Sequence, residues 1–160
     1  APTFAPDGYR FAFESCNEAG NSCGLWVSDL DHSEFQSRAI LLEPLAKAPD
    51  WSPVTEQIAY MANPDGDYDL YSVNSDGTNV RRLTNTPADD GLPTWSPDGE
   101  WLAFVSDRGG TWGLWLLHLK SGHMHQTIAF DDTPLNPPDR VPYNEHGNRF
   151  WWDEQLSWGP

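Results

Sequence analysis

Long apolar runs are missing from this 160-residue chain, and none approaches the ~20 residues a membrane-spanning helix needs. No basic-then-apolar leader stands at its start, although a processed chain would have lost one. Basic residues are scarce: nine Lys and Arg face 24 Asp and Glu, a net charge of −15. So negative a surface repels phosphate backbones and anionic lipid, which argues against nucleic-acid and membrane-surface roles. It leaves room for a cation, though acidity more often serves solubility. Cysteine is nearly absent. Cys16 and Cys23, in "SCNEAGNSCG", are the only two, a poor zinc site where four ligands are wanted. Their spacing suits a disulfide closing a hairpin loop, with two free thiols as the alternative. A bridge implies an oxidising compartment: extracellular, cell surface or periplasmic. A long helical pattern is also missing. The best stretch, "SRAILLEPLAKA" from Ser37 to Ala48, is interrupted by Pro44. It better fits an outer strand followed by a connection.

What the chain does have is punctuation. Fourteen Pro and thirteen Gly are dispersed between short apolar runs, and nine Trp supply core bulk. That is the composition of many short strands joined by turns, in a length that fits one domain.

The punctuation repeats. Phe4, Trp51 and Trp95 each precede a small residue and a proline: "FAP", "WSP", "WSP". Eight residues after each comes an alanine, Ala12, Ala59 or Ala103, flanked by large residues in "FAF", "IAY" and "LAF". Farther on, an aromatic follows a leucine: Trp26, Tyr71 and Trp115. The aromatic-to-aromatic periods are 47 and 44 residues, the range of solenoids, propellers and arrays. Within the third copy, "SPDG" predicts a hairpin turn, with Pro97 preset in φ and Gly99 taking the positive φ. "EWLAFVS", "LWLLHL" and "MHQTIAF" then read as further strands. Four strands per repeat make a propeller blade, and the small alanine lets adjacent blades approach closely. Trp51, Trp95, Trp158, Trp26 and Trp115 are expected in the core.

The second copy's "WSP", "IAY" and "DLYSVNSDGTNVRRLT", with "LPTWSPDGEWLAFVSDRGG" in the third, resemble the TolB-type, WD40-like (PD40) β-propeller repeat. The resemblance runs from about Pro2 to Phe130. It implies an all-β fold of four-stranded antiparallel blades: blade 1 over about 2–43, blade 2 over 49–84 and blade 3 over 93–130. Residues 131–155 read as an insertion. "LSWGP", residues 156–160, reads as the first strand of a fourth blade, with Trp158 placed 63 residues after Trp95. TolB-like rings usually have six blades, so three copies and a spare strand are an incomplete ring. Either a longer polypeptide supplies the rest, or another chain does. In the second case Leu156, Ser157 and Trp158 can substitute for Thr3 and Phe4 of a neighbour.

Few stretches carry chemistry. "GNSCG" matches a nucleophile elbow by letter, but Ser22 falls between antiparallel strands with no helix to follow. "DGDYD" begins like a calcium loop with Asp65, Asp67 and Asp69, yet Leu70 and Asp76 stand where glycine and glutamate belong. The aspartates are therefore read as a structural turn. Calcium at a looser site with loop carbonyls is the one cofactor left open. His123 and His125 alternate along a strand, and oligogalacturonate lyases, which are also TolB-like propellers, use histidine-bound metal. The repeat alignment puts both at a blade's outer edge, facing solvent, and His32, His118 and His146 are not placed. No metal is therefore expected there. Trp112, Trp151 and Trp152 are loop aromatics able to stack on a sugar or anchor a protein.

These features predict no catalytic set and no enzyme. The leading expectation is an extracytoplasmic module that binds protein, including other copies of itself. Its rivals are an inert propeller segment of a prolyl-oligopeptidase-like hydrolase and a carbohydrate-binding propeller.

Overall fold

The computed structural model describes residues 2–30, 36–130 and 156–157. Trp151, Trp152, Trp158, His32 and His146, with the rest of the 131–155 stretch, lie outside the described residues. The described residues form twelve strands and no helix. β1 (Thr3–Phe4), β2 (Arg10–Cys16), β3 (Cys23–Asp29) and β4 (Ser37–Leu41) make the first sheet, in that order. The second sheet is β5 (Lys47–Trp51), β6 (Gln57–Ala62), β7 (Asp69–Asn74) and β8 (Arg81–Arg82). The third is β9 (Asp90–Trp95), β10 (Trp101–Ser106), β11 (Gly113–His118) and β12 (Met124–Ala129). Every pairing is antiparallel and joins consecutive strands, so each sheet is a meander. These are three blades of a β-propeller.

Turn chemistry sets the register of each first hairpin. In "SPDG", Gly99 takes φ 71° and donates its N–H to the Ser96 carbonyl at 2.9 Å. Asp98 accepts the Glu100 N–H at 2.9 Å, closing the turn from the side chain. "APDG" in blade 1 does the same through Gly8, at φ 74°. "SPVTEQ" has no glycine, and there the Ser52 hydroxyl accepts the Thr55 N–H at 3.2 Å. Each sequence therefore finds its own way to one geometry.

The innermost strands of blades 2 and 3 share an irregularity. Ala48 and Leu92, each just before a proline, adopt φ 48° and 53°. The ladder slips beside them, between Lys47 and Asp50 and opposite Leu92 on β10. Proline cannot donate to the ladder, so a bulge falls where it stands.

The core lies between blades. One cluster joins Ala12, Leu25, Val27 and Ile40 of blade 1 to Trp51, Ile58, Tyr60 and Val73 of blade 2. A second joins Ala59, Met61 and Leu70 of blade 2 to Trp95, Leu102, Phe104 and Leu117 of blade 3. Each blade thus has a leading face, turned to the blade before it, and a trailing face, turned to the one after. The repeated alanines lie on trailing faces, and Ala12 and Ala59 are completely buried. A missing side chain lets the next inner strand lie close. Trp51 and Trp95 are buried as expected, but Trp26 and Trp115 are only half-buried. Trp26 lies on the leading face of blade 1, against which no other described blade packs. Trp115 lies near the outer edge, where its ring packs under the Arg108 guanidinium.

Candidate functional site

Two kinds of surface stand out among the described residues: the mouth of the central channel, and the two outer blade faces against which no other described blade packs. The mouth is built by the residue before each repeat aromatic. Thr3, Asp50, Thr94 and Ser157 line a cavity of about 510 Å³ together with Phe4, Trp51 and Trp95. These side chains stitch successive blades. The Thr3 hydroxyl accepts the Trp51 N–H at 3.0 Å and donates to Asp50 at 3.1 Å. Asp50 in turn accepts the Trp95 N–H at 2.7 Å, while its carbonyl takes the Trp95 indole N–H at 3.0 Å. Burial holds the Asp50 carboxyl above the usual aspartate range, against the opposing pull of the bonds from Trp95, Thr3 and Thr94.

Farther out, an arginine clamps the first interface. Arg10 on the trailing side of blade 1 lies 5.2 Å over the Trp51 ring and grips Glu56 with both guanidinium nitrogens, at 2.8 and 2.9 Å. Its Nε also meets Asp7 at 2.7 Å. Arg10 holds the Glu56 carboxyl below the usual range, with a further bond from Ser75.

The open leading face is aromatic. Phe4, Phe11 and Phe13 run across blade 1 with ring centres 5.8 and 5.4 Å apart. Their counterparts, Trp51, Ile58 and Tyr60 in blade 2 and Trp95, Leu102 and Phe104 in blade 3, are buried by the preceding blade. Phe4 is 57% exposed and Tyr9, in the adjoining turn, 59% exposed. The open trailing face is a groove of about 360 Å³ on blade 3, lined by Thr94, Ala103, Leu114, Leu116, Thr127 and Ile128. Leu156 and Ser157 lie in that groove.

Other sequence-predicted residues are placed as follows. Cys16 and Cys23 pair across β2 and β3 and are joined by a disulfide. Ser22 lies in the loop that bridge closes, its hydroxyl 3.5 Å from Asn21 Oδ1. Asp65 and Asp69 both meet Arg82, Asp69 being fully buried and also bonded to Thr84, while Asp67 is exposed. A guanidinium thus stands between the two aspartates. Among the described residues, no group of three or more His, Cys, Asp or Glu is arranged to hold a metal. His125 stands on β12 with His123 just before it, rings 5.6 Å apart, and both are exposed. His118 stacks on Trp101 at 4.6 Å and bonds Ser121. Trp112 packs half-buried against the core of blade 3. Of the residues named as assembly strands, Thr3, Phe4, Leu156 and Ser157 line the channel mouth, whereas Tyr9, Phe11, Phe13 and Trp101 escaped notice. The signal for them was available: they occupy repeat positions whose counterparts face a neighbouring blade.

Comparison with known proteins agrees with this architecture. The model described as TolB beta propeller domain (PD40) matches residues 1–143. Over 121 residues the chain is 32% identical to Protein TolB homolog of Chlorobium luteolum, covering 76% of this chain and 27% of that protein. Over 121 residues it is 30% identical to the Uncharacterized peptidase YuxL of Bacillus subtilis, covering 68% of this chain and 17% of that protein. It superposes on the crystal structure of TolB from Acinetobacter baumannii with a TM-score of 0.65 at 22% identity, covering 79% of this chain and 31% of that one. At that identity the likeness shows the fold alone. The chain therefore spans under a third of the length of each.

Proposed function

Because the chain belongs to the TolB beta propeller domain family, we propose that it is a non-catalytic, extracytoplasmic module that binds protein, including other copies of itself. The observation that carries this reading is the pair of blade faces against which no other blade packs among the described residues. Phe4, Phe11 and Phe13 on one side and Leu114, Leu116 and Ile128 on the other occupy positions that blades elsewhere bury. Apolar surface in such contiguous strips marks an interaction site. The Cys16–Cys23 bridge supports an oxidising compartment. Ring completion and exchange of terminal strands are the two routes by which copies would assemble. Light scattering on the purified chain from low to high micromolar concentration tests this. A mass rising to twice that of the monomer or more is expected, and a constant monomer mass would sink the self-association.

A second reading has one observation in its favour, the 30% identity to a peptidase. On that reading the chain is an inert propeller segment and the reacting groups lie on another part of a longer protein. Reading the coding sequence beyond the codon for Pro160 decides it: a hydrolase domain supports the second reading, and its absence leaves the first.

A further inference from the structure

We propose that His123 and His125, at the outer edge of blade 3, bind a divalent ion of the Cu²⁺, Ni²⁺ and Zn²⁺ class. Water completes the coordination. His125 lies on β12 and His123 immediately before it, two residues apart, where alternate side chains share one face of the strand. Their ring centres are 5.6 Å apart, with the planes inclined at 33°. Two imidazoles that hold one ion at ~2.0–2.1 Å in tetrahedral geometry put their centres roughly 5 Å apart. The rings therefore stand within about half an ångström of the chelating separation. Rotation of exposed side chains closes that gap. Solvent exposure alone was no ground for expecting a metal at this place; the spacing of the rings is.

Both rings have their nitrogens to offer. His123 meets Ser121 through its backbone N–H, and among the described residues no hydrogen bond or ion pair engages either imidazole. The His118 ring, by contrast, is taken up. Its Nδ1 lies 2.7 Å from the Ser121 hydroxyl, and the ring packs on Trp101 at 4.6 Å. Trp101 also meets His125 edge-on at 5.8 Å. That contact restrains one of the two ligands before any ion arrives.

The place stays accessible when another blade packs alongside. His125 lies opposite Leu116, as Arg38 lies opposite Val27 in blade 1 and Arg81 opposite Ser72 in blade 2. Arg38 and Arg81 are exposed although blades 2 and 3 pack against the blades that carry them. Gln36 and Asn79, two residues earlier in each, are exposed as well. The donors then set the class of ion. Imidazole suits copper, nickel and zinc, whereas Mg²⁺ and Ca²⁺ want oxygen ligands. Copper binds tightest of the three by the ordinary order of affinities. A net charge of −15 draws divalent cations toward the surface. With two protein ligands the site keeps open positions, unlike the closed four-ligand sites of structural zinc.

Calorimetric titration of the full chain with CuCl₂, NiCl₂ and ZnCl₂, each alone in a non-coordinating buffer, tests the site. All three ions should bind, copper tightest, and MgCl₂ should not compete. His123→Ala and His125→Ala should each weaken binding by at least the ~10–100-fold that loss of a ligand's own hydrogen-bond partner costs. The double variant should lose the site. Its far-ultraviolet spectrum should match wild type, because both side chains are exposed. The copper-loaded chain should show nitrogen hyperfine splitting by electron paramagnetic resonance, lost in the double variant. His118→Ala should leave binding unchanged. An equal loss in that variant would mark indiscriminate binding by histidine, and an unaltered isotherm in the double variant would put the ion elsewhere. Either result overturns the site, as does a wild-type chain that binds none of the three. Self-association plays no part in the outcome, so failure here leaves the proposed function standing.

Discussion

Asp50 stitches the blades together through one side chain that joins all three. Thr3 reaches it from blade 1, and it reaches Trp95 in blade 3. Asp50→Ala is expected to cost about 1–3 kcal/mol, the penalty for leaving buried donors unpaired, measurable as a shift in the urea midpoint. Its titration has a definite sign. Burial raises the folded value above the ordinary 3.8, so the fold favours the protonated acid. The stability this contributes is fully present below 3.8 and is lost as pH rises through the higher folded value. Thermal melts of wild type and Asp50→Asn between pH 4 and 7 should therefore shift in favour of the variant as pH rises. A gap that moves the other way would contradict the assignment. Arg10 acts on a smaller scale, since Glu56 is largely exposed. A double-mutant cycle of Arg10→Ala with Glu56→Ala should return a coupling of roughly 0.2–1 kcal/mol, weakened by salt.

The elements are held at close quarters where glycine permits it. Gly77, in the β7–β8 turn at φ 88°, would place a Cβ 2.6 Å from the Ile40 carbonyl oxygen of the preceding blade. Gly77→Ala therefore strains the backbone and wedges two blades apart, and a loss of about 1–3 kcal/mol is expected by chemical denaturation. Gly99→Ala meets only a movable side chain, Val54, besides its φ of 71°, so the smaller effect belongs there. The β2–β3 hairpin relies on its bridge. Cys16 and Cys23 enclose a short loop, for which chain entropy gives about 2 kcal/mol. A Cys16→Ser/Cys23→Ser variant should melt earlier by that much yet keep its far-ultraviolet spectrum, because the blade junctions lie elsewhere.

At the largest scale, the three described blades present unlike faces at their two ends, so any assembly through those faces is head to tail. Such a contact closes only if the accumulated rotation returns to its start; otherwise it grows into filaments. Under the proposed self-association, closure of one ring by two copies is the case in which growth stops. Sedimentation velocity separates the two outcomes of the proposed self-association: a discrete dimer marks closure, and a ladder of higher species marks open head-to-tail growth.

Much of this was written in the chain. The spacing of Phe4, Trp51 and Trp95 and the alanine eight residues after each determined the blades, because a turn residue and a missing side chain are local requirements. The disulfide was legible for a like reason, since a hairpin brings its own ends together. What the sequence could not rank was exposure. Phe11 and Tyr60 occupy neighbouring positions of one repeat face, yet only the stacking order, in which no described blade precedes blade 1, leaves the first partly accessible and the second buried. Asp65 and Asp69 looked like the opening of an ion loop until the return of β8 brought Arg82 between them. Leu156 likewise read only as a spare strand, and its seat against Thr94, Ala103 and Leu116 appeared once three blades stood side by side. Local spacing fixes strands and turns through backbone geometry; which faces they leave open depends on contacts between residues some 40 or more positions apart.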